Sequence, residues 1–247
     1  MKDIDAIFFD MGGTIRTLSQ GHEQREAMML RLADRIGADS SPGELYDTLY
    51  RRARDYKRWS KETLCELTEE ELWTRWMLPD RPAAEIEPIA VQLNQLWRST
   101  GGVRVVRPDA RDVILELDRR GYLIGLVSNT TSRVDSPRLL RAMGVSDCFG
   151  TVVLSAVFGK RKPDPAIFLE AVQNLGVRAD RSVHVGDRSE RDVSGARSAG
   201  FAAVILIRDP LNASPDPLDA SLTPDHVIQS LSELLPMFPP LAGRGEV

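Results

Sequence analysis

Cysteine is scarce: Cys65 and Cys148 are the only two in 247 residues, far apart and in no CxxC pair. A disulfide framework is therefore excluded, and a thiolate metal site is not expected. No apolar run approaches the ~18 residues of a membrane-spanning helix. The first residues lack the basic stretch and apolar core of a secretion signal, so the expected location is the cytoplasm. An excess of charge is missing too. The formal net charge is −4 with 28% charged residues, which gives no electrostatic case for nucleic acid or an anionic membrane surface. Internal repeats and low-complexity segments are absent. What remains is an ordinary globular composition, 42% hydrophobic, in a chain long enough to bury a large core or a core with an insertion.

From residue 103 onward, apolar strand signals alternate with helical ones. Helices are expected over 108–120, 137–143, 165–175 and 191–199, and strands over 122–128, 151–155, 182–185 and 202–207. Near-continuous apolar strands separated by helices indicate an α/β fold with a doubly wound parallel sheet. Residues 4–9 belong to that sheet by character. A loop rich in Pro, Asp, Ser and Ala over 209–224 precedes an expected last helix at 226–235, and 239–247 reads as a frayed end. Residues 18–100 are different. Helical periodicity runs over 23–36, 43–59, 68–77 and 82–97, with all four tryptophans, three of the four tyrosines and none of the seven phenylalanines. Such a shift marks an inserted all-helical domain with its own core, leaving 1–17 and 101–247 as the sheet domain.

Four segments fall at the C-terminal ends of expected strands, the edge where open α/β sheets bind ligands. The first is Asp10 with Gly12, Gly13 and Thr14. Next come Ser128 with Asn129 and Thr130, then Lys162 before a proline-started helix, then Gly186 with Asp187 and Asp192. One chemical demand unites them. Moving a phosphoryl group to a carboxylate sets anionic phosphate beside an anionic nucleophile, so positive charge and hydrogen-bond donors are required. A hard cation held by carboxylates suits magnesium. Asp10 and Asp187 would supply those carboxylates, with Asp192 direct or behind them. Lys162 would neutralise further charge. Ser128 and the backbone N–H groups of 11–13 would hold phosphate oxygens. Taken singly, each segment is as readily a helix cap, a turn or a solvated charge; it is their joint order that carries the reading.

These four segments, in this order, resemble the motifs of the haloacid dehalogenase-like (HAD) hydrolase superfamily, and the helical insertion is similar to that superfamily's first cap class. The resemblance covers the whole sheet domain and continues through residues 193–200. It implies a Rossmann-like core, Asp10 as covalent nucleophile, and Ser128, Asn129 and Lys162 with the 11–13 backbone as phosphate ligands. It also implies Mg2+ held by Asp10, the Gly12 carbonyl, Asp187 and Asp192, with a small phosphorylated molecule as substrate.

The chain departs from the pattern at Gly12, where phosphatases of the superfamily usually carry an acid/base aspartate. Four readings follow. The first is a phosphohydrolase whose proton comes from elsewhere, His22 being the best-placed substitute, or whose leaving group needs none. The second is dehalogenation, which the Gly186-Asp187 pair and Asp192 oppose. The third is phosphonate cleavage through a cap lysine, Lys57 or Lys61, although these lie in a basic cluster (51–61) that reads as a solvated helix face. The fourth is a phosphate- or partner-binding protein without catalysis. A magnesium-dependent phosphohydrolase is the expectation. Cap aromatics are expected mostly in the cap's own core, and Arg16 is a candidate contact for an anionic substrate.

Overall fold

The computed structural model describes residues 3–19, 24–208 and 222–241. The elements in chain order are β1 (Ala6–Phe9), β2 (Arg16–Ser19), α1 (Arg25–Ile36), α2 (Pro42–Thr63), α3 (Glu69–Leu72), α4 (Ala83–Ile86) and α5 (Ala90–Ser99). Then follow β3 (Val103–Val106), α6 (Ala110–Arg119), β4 (Leu123–Ser128), α7 (Asp135–Ala142), β5 (Phe149–Leu154), α8 (Ser155–Phe158) and α9 (Pro165–Leu175). The chain continues with β6 (Ser182–Gly186), α10 (Ser194–Ser198), β7 (Ala203–Ile207), β8 (His226–Ile228) and α11 (Leu234–Met237).

Six strands form one sheet in the order β5-β4-β1-β6-β7-β8, and every neighbouring pair is parallel. The apolar runs at β1, β4, β6 and β7 are strands buried on both faces, as a doubly wound sheet demands, while the edge strand β5 exposes Gly150 and Val152. Alternation sorts the side chains. Ile7 and Phe9 face one layer with Ile114 and Leu117 of α6, while Ala6 and Phe8 face the other with Phe168 of α9 and Ala196 of α10. At about 1.5–3 kcal/mol for each large side chain buried, β1 is anchored at the sheet centre. Its last residue is thereby fixed one step before Asp10.

Helices α1 to α5 build a separate apolar cluster, including Met29, Leu32, Leu49 and Leu93 around the fully buried Trp73. Trp59, Trp76 and Trp97 pack against it, in keeping with a core role for these aromatics. Local signals set the helix starts: Ser41 and Glu44 cap α2 reciprocally, as do Thr68 and Glu71 for α3, each satisfying N–H groups that a helix start leaves unpaired. None of the described helices is long and apolar enough to cross a membrane.

Three features differ from the sequence reading. The chain passes between the sheet and the helices through an antiparallel ribbon of β2 and β3; four-residue strands carry too little periodicity to be read. The segment expected to open the last helix is instead β8, where Val227 and Ile228 extend the sheet beside β7, and helix begins only after Ser230 and Glu233 form a capping box. The helix expected over 191–199 starts as a π-helical turn, Ser189–Val193, before α10. Most of the expected 209–224 loop, residues 209–221, and the terminus 242–247 lie outside the described residues.

Candidate active site

Asp10 follows β1 and is 3% exposed. Its Oδ1 accepts a hydrogen bond from Lys162 Nζ at 2.7 Å, and Oδ2 has no donor among the described residues. Lys162, itself 1% exposed, also donates to Asp192 Oδ1 at 2.6 Å. A buried lysine between two carboxylates offsets the cost of burying all three charges only because the geometry is close. Asn129 holds the lysine in place. Its Oδ1 accepts from Lys162 N–H at 2.8 Å, and its Nδ2 donates to the Lys162 carbonyl at 2.9 Å. The Asn129 amide is thus engaged with the Lys162 backbone rather than directed at a ligand.

The turn after Asp10 is fixed by three backbone bonds, from Ile15 N–H (3.1 Å) and Arg16 N–H (3.0 Å) to the Met11 carbonyl and from Gly13 N–H to the Arg16 carbonyl (2.7 Å). Gly13 N–H is therefore consumed. The N–H groups of Met11 and Gly12, and the Gly12 carbonyl, have no partner among the described residues. Gly13 adopts φ 86°, and a Cβ there would lie 2.1 Å from Asp187 Oδ2. Only glycine lets that carboxylate press against the turn. Gly186 plays the same part for Asp192, whose Cγ would be 2.3 Å from an added Cβ. Gly12 is unlike both: nothing lies within 4 Å of a Cβ there.

Asp10, Asp187 and Asp192 bring carboxylate oxygens within 4.8 Å of one another. Asp192 is fully buried and saturated. Oδ1 takes Lys162 Nζ and His184 Nε2 (2.9 Å), while Oδ2 takes the N–H groups of Asp187 (3.2 Å) and Arg188 (3.0 Å). Burial alone would raise its carboxyl, but Lys162, the His184 hydrogen bond and Arg191 hold it well below the usual range. Asp187 behaves in the opposite way. Burial, together with the charges of Asp10 and Asp192, pushes it up to about 7 against the opposing pull of Arg191 and Arg188. That rise is the signature of a carboxylate cluster short of positive charge. With the unpartnered Gly12 carbonyl beside it, the oxygen-rich donor set fits a hard divalent cation.

His184 was not singled out in the sequence. It is fully buried in β6, and burial lowers its pKa. Since ionised Asp192 can only accept, Nε2 carries the proton, and Nδ1 is left without a partner. A lone histidine in an otherwise apolar strand was the available signal. Arg107 was also missed; its Nη2 donates to the Gly13 carbonyl at 2.9 Å. Ser128 ends β4 at 3% exposure, and its hydroxyl has no hydrogen bond to a described residue. Thr14 Oγ1 is buried and unpartnered.

The helices approach this edge directly. From α5, Asn94 Nδ2 donates to the Thr131 carbonyl at 2.6 Å and Arg98 Nε to Asp135 Oδ2 at 2.7 Å. A second seam joins buried Glu66 to Tyr56, Ser155 Oγ (3.1 Å) and Arg161 (3.3 Å). Partial burial and the like charges of Lys61, Arg161, Arg191 and Arg188 lower the pKa of Lys57 on α2. His22 lies outside the described residues.

Known proteins match along the whole chain. A glyceraldehyde 3-phosphate phosphatase of Methanopyrus kandleri is 28% identical over 97% of this chain and 99% of its own. A ribulose-1,5-bisphosphate 5-phosphatase of Halopiger xanaduensis is 25% identical over 93% and 97%. Among solved structures, a 2-haloacid dehalogenase from Pseudomonas syringae superposes with TM-score 0.66 at 23% identity, covering 94% of this chain and 96% of its own. An HAD phosphatase from Thermococcus onnurineus gives 0.59 at 24%, covering 96% and 100%. These superpositions speak for the fold alone. The family model for haloacid dehalogenase-like hydrolases matches residues 4–200, and with four motifs converging on one sheet edge, this chain belongs to that hydrolase family.

Proposed function

We propose that the protein is a phosphatase that hydrolyses a small phosphorylated molecule through an aspartyl-phosphate at Asp10. The observation that carries this reading is the Asp10 carboxylate itself, with Oδ1 on Lys162 and Oδ2 facing the site without a donor. Two relatives matched along nearly the whole chain are named phosphatases, which supports the same reading.

Phosphate oxygens would be received by the N–H groups of Met11 and Gly12, the Ser128 hydroxyl and the Lys162 ammonium. Asp10 would attack phosphorus as the bond to the leaving oxygen breaks. Water would then attack the phosphorus of the aspartyl-phosphate, releasing inorganic phosphate and restoring the carboxylate. Asp10, Asp187 and the Gly12 carbonyl are the groups that would hold Mg2+, with saturated Asp192 orienting Lys162 and the Asp187 loop from behind. When bound, the ion supplies the positive charge that the carboxylate cluster lacks. Residues 18–100 would act as a cap over the core formed by 1–17 and 101–247, excluding water and reading the leaving group.

Position 12 offers no acid, so the leaving oxygen takes its proton from solvent or another group, or departs unprotonated. Activated esters should therefore react best. Phosphate release from aryl, acyl and alkyl phosphates, with and without Mg2+, tests the reading on the native protein and Asp10→Asn. Magnesium-dependent turnover lost in Asp10→Asn is expected. Halide release from 2-chloropropionate in EDTA would instead show carbon–halogen hydrolysis. Absence of both turnover and a covalent phosphate adduct on incubation with acetyl phosphate would show a binding protein.

A further inference from the structure

Three arginines gather where the ribbon meets α5. In the antiparallel register Arg16 stands opposite Val106, and Leu18 opposite Arg104. Arg16 and Arg104 are thus diagonal neighbours on one face of the ribbon. That face is covered at its inner end, where Arg16 is 8% exposed and Arg104 half-buried, and opens outward at Leu18, 54% exposed; on the other face Val103 and Val105 are 50% and 47% exposed. Arg104 Nη1 donates to the Arg98 backbone carbonyl at 3.1 Å, and the Arg98 guanidinium itself lies within electrostatic reach of both Arg16 and Arg104.

One carboxylate answers them. Asp135 sits 2.7 Å from Arg98 Nε and is committed to it. The Arg16 side chain makes no hydrogen bond or ion pair with any described residue, and Arg104 has no carboxylate partner among them. Grouping three largely buried cations around one anion is unfavourable unless something negative joins them. The strain is visible in their basicity. Burial and Arg98 lower Arg16, and burial with Arg98 and Arg16 brings Arg104 down to about 10. The same Arg16 lies within electrostatic reach of Asp10, and its backbone closes the turn that presents the Met11 and Gly12 N–H groups. The uncompensated charge therefore adjoins the reacting centre.

We propose that Arg16, Arg98 and Arg104 form a second anion subsite that takes the distal phosphate or carboxylate of a substrate carrying two anionic groups. The substrate class is a small phosphate ester with a second anion. This inference rests on the phosphatase reading for the group that faces Asp10. Guanidinium donors match either anion, since each presents oxygens to a planar fork.

The test compares substrates that differ only in the distal group: propyl phosphate, 1,3-propanediol bisphosphate and 3-phosphooxypropionate, with p-nitrophenyl phosphate as a common reference. A charge-assisted contact is expected to raise kcat/KM for at least one two-anion substrate about 10–100-fold over propyl phosphate. The better of the two names the distal group. In Arg16→Gln and Arg104→Gln that advantage falls at least ~10-fold more than kcat/KM for p-nitrophenyl phosphate falls. Equal kcat/KM for one- and two-anion substrates, or an equal loss on all of them, overturns the subsite and leaves the phosphatase reading standing. Calorimetry on the native protein and both variants covers a chain that turns over no ester, using propylphosphonate, propane-1,3-diphosphonate and 3-phosphonopropionate. Tighter native binding of a two-anion ligand, lost in Arg104→Gln, upholds the subsite even if the phosphatase reading fails. Identical affinities for all three ligands overturn it.

Discussion

Gly12→Asp is the perturbation that separates a disabled site from an adapted one. Its structural cost is small. No atom lies within 4 Å of the new Cβ, and Gly12, unlike Gly13, does not occupy the left-handed region. Removing a glycine from a backbone that other residues can adopt contributes about 0.4–1 kcal/mol through the unfolded state. Against it stands repulsion from Asp10 and Asp187, worth about 1–3 kcal/mol at a 5–7 Å separation as the effective dielectric falls from water to protein. The net loss of stability in EDTA should thus be about 0–3 kcal/mol, reduced by Mg2+. The gain in chemistry is larger. General acid–base assistance contributes on the order of 10²–10⁴ in rate, or about 3–5 kcal/mol of barrier. The benefit depends on the leaving group: alkyl phosphates, whose alkoxide needs a proton, should gain most, and p-nitrophenyl phosphate least. Parallel steady-state assays of both, with intact-mass detection of the aspartyl-phosphate, report the two chemical steps. The adduct should accumulate in the native protein with acetyl phosphate and fade in the variant. A variant that melts like the native protein, still responds to Mg2+ and accelerates neither substrate would refute the idea that the missing carboxylate limits turnover.

Lys162→Met removes the cation that bridges Asp10 and Asp192 and should cost about 3–5 kcal/mol, as breaking a buried ion pair does. Thermal melting should drop by roughly 10 °C for a chain of this size, and Asp10→Asn in the same chain should restore part of the loss; an unchanged melting temperature would contradict the network. The Asp187 carboxyl, pushed up from the ordinary carboxylate range to about 7 by burial and the charges of Asp10 and Asp192, gives a pH dependence with a definite sign. Without metal the folded chain keeps a proton there that the unfolded chain has already released, so this group's contribution declines as pH rises toward 7. Mg2+ bound at the proposed site would take the proton's place, and its stabilising shift in melting temperature should therefore be larger at pH 8 than at pH 6. An equal shift at both would remove Asp187 from the metal site.

The sheet was legible because its inner strands are buried on both faces and read as unbroken apolar runs. The position of Asp10 followed from the end of such a run. The ribbon was not, since 16–19 and 103–106 are four-residue strands that place Arg16 and Arg104 inward against the polarity of arginine. β8 was missed for a related reason: 226–228 is too short to outweigh the helical residues after it. Within the site, the residues at strand ends were found by sequence order, but the division of labour among them was not. That Asn129 grips the Lys162 backbone 33 positions away, or that Asp192 is saturated by Lys162 and His184, 30 and 8 positions away, as well as by two nearby N–H groups, depends on contacts that no local pattern encodes.

The ribbon also sets a rule for exchanging parts. Arg107 N–H donates to the Ile15 carbonyl at 3.0 Å and its guanidinium to the Gly13 carbonyl, so the returning strand braces the very turn that carries Met11 and Gly12. A transplant that brings in new helices by cutting at the base of the ribbon would replace the brace along with them, and the turn would lose its support. Chimaeras spliced beyond the ribbon's outer end, at residues 19 and 103, keep turn and brace as a single inherited piece. In such hybrids Arg16 and Arg104 travel with the sheet while Arg98 travels with the helices. If the proposed subsite holds, changing the helical donor would alter it through Arg98 alone.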